Sequence, residues 1–463
     1  MRPGTNYGHA DRLHYGNGKN AAKLQLRTSL NSFTVGGMQS AAITVDQAFE
    51  LARTYHGYGQ LPAAEGLYRQ VLKCSPLHTE AIYLLGVVAW KYLRHEEAIE
   101  LFQRAFASNP RFTDALNCLA CVFMELGEIA KAIPPLERAL AITPDFADAH
   151  CNLSTAYHLT GAFEKGWREY EWRDRRPGFR GARFDVVGNR WTGGPAENQT
   201  ILVYIEQGIG DTIQFLRYLP ILQERSRARI VFACHLELVS LVRSHPINDC
   251  EIIPSAKPGE YFAAPAFDFQ TPMLSLPLAL GLFDPLPMPA PYLSANPDLR
   301  AQWRTRMGAR AGMRVGLVWS GSPAHGRDAE RSVAPNELRP LLKTAGAQFY
   351  SIQLETRGAL PPDLSALGVI DAAEHIADFS DTAALLAELD LIITVDTAVA
   401  HLAGAMGRPV WLLLPFLPDW RWGMSGEDTP WYPTMRLFRQ QFARDWDEVI
   451  QRVAAELHAF TTV

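Results

Sequence analysis

The sequence predicts an α plus α/β protein: a helical solenoid of repeats, then two α/β halves built on parallel sheets. Three observations predict it. Pro76, Pro110 and Pro144 recur at intervals of 34 residues. The stretch Leu391–Leu414 reads as apolar strand, short loop, small apolar helix and second apolar strand. Two glycine-bearing turns, Gly208-Ile209-Gly210-Asp211 and Trp319-Ser320-Gly321-Ser322-Pro323, each follow an apolar, β-branched run. A fixed period of this length marks stacked helix pairs. Buried strands joined by a helix mark a parallel sheet.

At 463 residues the chain is long enough for two or three domains. It is 48% hydrophobic and 20% charged, as in ordinary globular proteins. A net charge of -5 gives no support to nucleic-acid binding. No run of about 18 apolar residues exists, so no membrane span is expected. The six cysteines lack disulfide-like spacing, which favours a reducing, cytoplasmic home. Cys118-x-x-Cys121 lies inside a helical repeat with no second pair near it, and reads as core packing. Residues 1–44 are rich in Gly, Asn and Ser and lack the apolar core of a signal peptide. They read as a disordered lead-in, and Met38 offers a second start.

The repeats occupy 45–177, three good copies and one degenerate. Twelve residues before each proline stand Ala64, Ala98 and Ala132; eight before, Tyr68, Phe102 and Leu136; 24 before, Ala52, Gly86 and Ala120. Small residues let two helices approach, a large one fills the gap, and proline ends the second helix. The fourth copy keeps Leu153, Tyr157 and Tyr170, but Gly166 replaces the alanine and Arg173 stands where an apolar residue is expected. Its charged end, Tyr170–Pro177, reads as a cap facing the next domain. Residues 178–198 read as a linker. The first α/β half spans 199–305, opening on Ile201–Ile205. The second spans 306–444, opening on Val315–Trp319. Residues 445–463 form a final amphipathic helix, with Asp445 of Asp445-Trp446-Asp447 as its cap rather than a metal ligand. Two such halves suggest facing Rossmann-like domains.

Parallel sheets bind ligands at the carboxyl ends of their strands. Asp396, Thr397 and Ala398 fall there, at a helix start that favours phosphate, with His401 one turn in. Such a set suits a sugar bearing a diphosphate. Asp211, at the turn after the first strand, reads either as a helix cap or as a general base. In the second half, Ser320 and Gly321 occupy the corresponding turn. Arg327 and Arg331 follow in a polar loop and could neutralise a leaving diphosphate without a metal.

The 34-residue pattern resembles the tetratricopeptide repeat. Gly208-Ile209-Gly210-Asp211 with Leu219-Pro220, then Val395-Asp396-Thr397-Ala398-Val399-Ala400-His401-Leu402-Ala403, resembles glycosyltransferase family 9, the heptosyltransferases. The whole chain is similar to bacterial tetratricopeptide-repeat glycosyltransferases and, more distantly, to the O-linked N-acetylglucosamine transferases. The resemblance implies a GT-B fold, an inverting mechanism and no essential metal or other cofactor. By position Asp211 is the catalytic base, Arg331 stands where a donor-phosphate lysine is usual, and Asp396, Thr397 and His401 belong to the donor loop. Ala398 replaces the glycine usual in the heptose enzymes. The expected donor-binding set is Gly210, Ser320, Gly321, Arg331, Gln353, Asp396, Thr397, Ala398 and His401.

The expected function is therefore transfer of a sugar from a nucleotide-sugar to a hydroxyl, on a protein such as a flagellin or other surface protein recruited by the repeats. A lipopolysaccharide or other glycan acceptor is the alternative. A repeat scaffold with an inactive transferase half, or an epimerase, are readings from other classes. Expected partners are the nucleotide-sugar, the protein acceptor and, as an option, a second copy of the chain in a homodimer.

Overall fold

The computed structural model describes residues 43–176, 179, 188–244, 250–255, 264–286, 291–323, 325–354 and 359–461. Nearly all of the expected lead-in 1–44, and residues 178 and 180–187 of the expected linker, lie outside the described residues. The chain divides into two compact units, with the division between Asn152 and Leu153.

The first unit consists of antiparallel helix pairs: α1 (Val45–Gly57) with α2 (Leu61–Cys74), α3 (Thr79–Lys91) with α4 (His95–Ser108), and α5 (Thr113–Glu125) with α6 (Ile129–Ile142). A capping box starts α1: the Thr44 side chain accepts from the Gln47 amide at 3.2 Å, and Gln47 accepts from the Thr44 amide at 2.9 Å. The repeat prolines fall just past the ends of α2, α4 and α6. Ala64, Ala98 and Ala132 are completely buried, as are Tyr68, Phe102 and Leu136 beside them. At Gly86 the need for a small residue is explicit: a Cβ there would lie 2.8 Å from the Phe102 ring. Cys118 and Cys121 are buried core residues, and burial pushes the Cys118 thiol up to about 12. It stays a protonated thiol at neutral pH.

Helix α7 (Ala147–Leu159) crosses the division, and α8 (Phe163–Tyr170) lies wholly in the second unit. The degenerate repeat, expected to close the solenoid at 177, thus packs with the α/β part. Sequence periodicity reports where a helix pair lies, not which core it joins.

The second unit holds two parallel sheets. The first is built from β1 (Asn189–Arg190), β2 (Thr200–Tyr204), α9 (Ile209–Phe215), α10 (Leu219–Ser226), β3 (Arg229–Cys234), α11 (Leu236–Arg243), β4 (Glu251–Pro254), β5 (Phe269–Pro272) and α12 (Leu276–Leu280). Its strand order is β1-β5-β2-β3-β4. Then follow α13 (Pro297–Met307), β6 (Met313–Val318), α14 (Asp328–Arg331), α15 (Arg339–Leu342), β7 (Ala347–Ser351), α16 (Pro362–Ala366), β8 (Ile370–Asp371), α17 (Phe379–Ala387), β9 (Leu391–Val395), α18 (Ala398–Ala405), β10 (Val410–Leu414), β11 (Met435–Arg439) and α19 (Trp446–Thr461). The second sheet runs β11-β10-β9-β6-β7-β8. In each sheet the order reverses beside the first long strand, between β5 and β2 and between β9 and β6. Those reversals open the crevices in which such sheets bind ligands.

Two elements escape the sequence pattern. Asn189–Arg190, inside the expected linker, pairs with β5 as an exposed edge strand. Two polar residues carry no apolar alternation to reveal it. The boundary expected between 305 and 306 falls inside α13, which packs on the second half: Trp303 is buried, and Arg300 and Arg304 pair with Glu388 at 2.6 and 2.9 Å. With a single large apolar anchor in a charged helix, periodicity could not assign it. Helix α19 does follow its pattern. Val449, Val453 and Leu457 join the core under β6 and β9, and Asp445 caps it by accepting from the Glu448 amide at 3.3 Å.

Candidate active site

The groups of the site stand on loops that leave the carboxyl ends of strands, or on the helices that those loops lead into. In the second sheet, the turn after β6 is held from below by Gln353. Its carbonyl oxygen accepts from the Trp319 and Ser320 amides at 3.1 and 3.0 Å, and its amide donates to Ser320 O at 3.1 Å. Gln353, expected among the donor contacts, spends these bonds on shaping the Ser320–Gly321 turn. The Arg331 guanidinium lies against Gly321: a Cβ there would come within 2.2 Å of it and displace it. Arg331 in turn donates to Asp396 O at 2.9 Å and pairs with Asp328 at 3.1 Å. It therefore joins the turn after β6 to the loop after β9. Arg327 points elsewhere, to Leu417 O at 2.6 Å and Glu330 at 2.8 Å.

After β9, Thr397 occupies the cap position of α18, yet its hydroxyl bonds Thr394 Oγ1 at 3.2 Å and makes no cap bond. His401 is buried on that helix, hydrogen-bonded through Nδ1 to the Tyr432 hydroxyl at 2.9 Å and stacked on Trp422 at 5.3 Å. Burial, with the Arg421 charge adding to it, lowers its pKa to about 3. It is a neutral imidazole at physiological pH, so its 3.9 Å approach to Asp396 is no ion pair. Asp396 moves the other way: burial, then the neighbouring Asp419 charge, raise its carboxyl to about 6 against the pull of Arg331.

Asp211 comes from the first sheet, on the opening turn of α9. Its Oδ2 accepts from the Gly208 amide at 2.9 Å, the cap role, while Oδ1 pairs with the buried Arg421. Arg421 also pairs with Asp419 at 2.8 Å and donates to Gln214. Gly210 allows the two halves to meet: a Cβ there would lie 2.9 Å from the His401 ring and 3.5 Å from the Ala398 Cα. The starts of α9 and α18 thus touch, and Asp211 reaches the second half through Arg421.

Sequence reasoning missed Asp419, Arg421, Trp422 and Tyr432. One signal was available. Pro418-Asp419-Trp420-Arg421-Trp422-Gly423 follows the apolar run of β10, and so leaves the same sheet edge as the other loops. It also missed Arg217. That arginine is buried, donates to Leu286 O at 2.8 Å and Trp431 O at 3.2 Å, and lies 4.9 Å under the Tyr432 ring. It links the first half to the ring that holds His401.

The buried histidines give a pH prediction. His158 lies near Arg421, and like His401 it is held near 3 mainly by burial. Unfolded, both would protonate near pH ~6.5. The unfolded chain therefore binds more protons across that window, and stability falls as pH drops from about 6.5. Asp396 opposes this, because its raised pKa makes the folded state bind more protons between about 3.9 and 6. Burial also lowers His235 and His325 and raises Glu206, so four histidines stand against two carboxyls, and the melting temperature is expected to fall between pH 7 and pH 5. His158→Phe is expected to fall less, and equal losses in both proteins would refute the assignment.

Comparisons with known proteins agree with this architecture. The family described as glycosyltransferase family 9 (heptosyltransferase) matches residues 377–413, the stretch carrying α17, β9, the Asp396–His401 loop and β10. Tetratricopeptide repeat families match residues 49–116 and 121–161. Protein FlbA of Caulobacter vibrioides is 29% identical over 319 residues, covering 65% of this chain and 53% of FlbA. The chain spans about half the length of that curated relative. Among solved structures, MamA is 27% identical over 28% of this chain and 75% of its own, with a TM-score of 0.27. YrrB, a TPR protein with an unusual peptide-binding site, is 19% identical over 28% of this chain and 66% of its own, with a TM-score of 0.26.

The chain thus carries repeats similar to tetratricopeptide repeats over 49–116 and 121–161, followed by two parallel sheets consistent with the GT-B fold. Its second part is glycosyltransferase family 9-like. Among the described residues, no helix is long and apolar enough to cross a membrane.

Proposed function

We propose that the chain is an inverting glycosyltransferase that moves a sugar from a nucleotide-sugar to a hydroxyl of a protein acceptor presented by the repeats. The observation that carries this reading is the meeting of the α9 and α18 starts, which sets Asp211 of one half against the Asp396–His401 loop of the other. In this reading the diphosphate rests at the start of α18, with Arg331 beside it as counter-charge. Asp396 faces the sugar. The acceptor oxygen attacks the anomeric carbon from the opposite side as the carbon–phosphate oxygen bond breaks. Its proton passes to Asp211, and the nucleotide leaves carrying the electron pair. Arg421, paired with the Asp211 carboxylate, holds it in place at the start of α9. Holding donor and acceptor in line supplies much of the acceleration, and preformed charge at the leaving group the rest. The cysteine spacing, unlike that of a disulfide framework, fits a reducing, cytoplasmic setting.

The reading is tested with a panel of UDP-, GDP-, dTDP- and ADP-sugars. A donor present at about 100 times its dissociation constant is expected to stabilise the fold by ~2.7 kcal/mol. A panel that shifts no melting curve and supports no transfer would remove the enzyme reading in favour of a repeat scaffold.

Charge at the leaving group is assigned to Arg331 and the α18 start. Turnover is therefore expected to be unchanged in EDTA. A loss restored by Mg²⁺ or Mn²⁺ would overturn the Arg331 assignment.

A further inference from the structure

The degenerate repeat departs from the pattern at points where it meets the α/β part. Gly166 stands where the other copies have Ala64, Ala98 and Ala132. A Cβ at 166 would lie 2.7 Å from the His158 ring, so the glycine exists to seat that ring against α8. His158 donates through Nδ1 to Ser154 O at 2.8 Å and lies face-on to Trp420, 4.4 Å away and tilted by 32°. Trp167 packs edge-on against Trp420 at 5.3 Å and against Phe215 of α9 at 5.9 Å, and donates to Phe283 O at 2.8 Å. The second departure, Arg173, is buried on Glu206, in the loop between β2 and α9. Tyr170 accepts from Gln207 at 2.8 Å, one residue before Gly208.

Trp420 is the neighbour of Arg421, whose guanidinium lies 4.6 Å over the same indole. A line of contact therefore runs from the fourth repeat through Trp420 and Arg421 to Asp211. Aromatic contacts of this geometry fix ring orientation as well as burying area. An arginine this buried, with two carboxylates and an amide to satisfy, has little freedom once its neighbour is fixed.

We propose that the fourth repeat is a working part of the transferase half, in which His158 and Trp167 are positioning residues that hold Trp420, and through it Arg421, on Asp211. The proposal rests on the reading of Asp211 as the base. It makes repeat and catalytic site one mechanical piece from Leu153 onward, so the fourth copy cannot be exchanged for a regular repeat without loss of turnover.

The test uses the full chain with His158→Ala, His158→Leu and His158→Phe. Leucine fills the volume without a ring face and is read if alanine fails to fold; phenylalanine restores the face. Hydrogen exchange in the leucine variant is expected to rise at residues 419–423 and 208–214 as well as at 158–170. With the sugar nucleotide found by the panel above, kcat is expected to fall by about 10²-fold, as for a misplaced reacting group. The donor KM should stay unchanged, and His158→Phe should recover most of the loss. Exchange confined to 158–170, or wild-type kcat in a leucine variant of lowered melting temperature, would overturn the proposal. If no sugar nucleotide is turned over by the wild type, the functional reading fails on its own, and the exchange pattern alone decides the positioning claim.

Discussion

Replacing Asp211 by asparagine is expected to lower turnover by about 10²–10⁴-fold while leaving donor affinity nearly unchanged. A sugar hydroxyl is a poor nucleophile at neutral pH, and a carboxylate that takes its proton as the bond forms supplies an effect of that size. The substitution is well suited to the structure. Asparagine keeps an oxygen for the Gly208 amide, which Asp211 now binds at 2.9 Å, so α9 keeps its cap. Arg421 keeps Asp419 and Gln214. What is lost is one negative charge and its basicity. A pure cap would show something else: about 0.3–1 kcal/mol of stability lost and full turnover retained. Turnover and melting temperature measured on one preparation separate the two, and a variant with wild-type turnover removes Asp211 from the chemistry.

Replacing Arg421 by methionine is expected to destabilise the fold by about 3 kcal/mol and to abolish measurable transfer. Removing one partner of a buried ion pair costs roughly 3–5 kcal/mol, because the other charge stays behind uncompensated. The low end applies here, since the Asp419 side chain keeps 37% of its surface and that of Asp211 20%. The effect has a pH signature. Although burial works against it, Arg421 holds Asp419 below the usual carboxylate range. Its stabilisation is present above the unfolded pKa of about 3.9 and is lost as pH falls through the folded value. Denaturant curves of variant and wild type should thus differ by a constant amount from about pH 5 to 8 and converge at lower pH. A variant as stable as the wild type at pH 7 would show that Arg421 is not the charge that joins the loop after β10 to the start of α9.

Much of this protein is written locally. The 34-residue period gave the helix pairs, because each repeat buries its own alanine and its own large residue, Tyr68, Phe102 or Leu136. The apolar runs at 201–205, 315–319, 391–395 and 410–414 gave the strands, because strands covered on both faces need continuous apolar sequence. The strand-end rule gave Asp211, Gly321 and the Asp396–His401 loop. Partnership across the cleft was not legible. Asp211 and Arg421 are 210 residues apart, and no spacing or period relates them. The same holds for Gly166 and Arg173, which look like decay of the repeat until His158, Trp420 and Glu206 are seen against them. Sequence alone determined the repeat helices, the long apolar strands and the turns after them, though not β1 or α13, since the former depend on neighbours a few residues away. Only the tertiary structure decided which charges face each other and which core the fourth repeat joins, because burial and pairing depend on what the rest of the chain brings alongside.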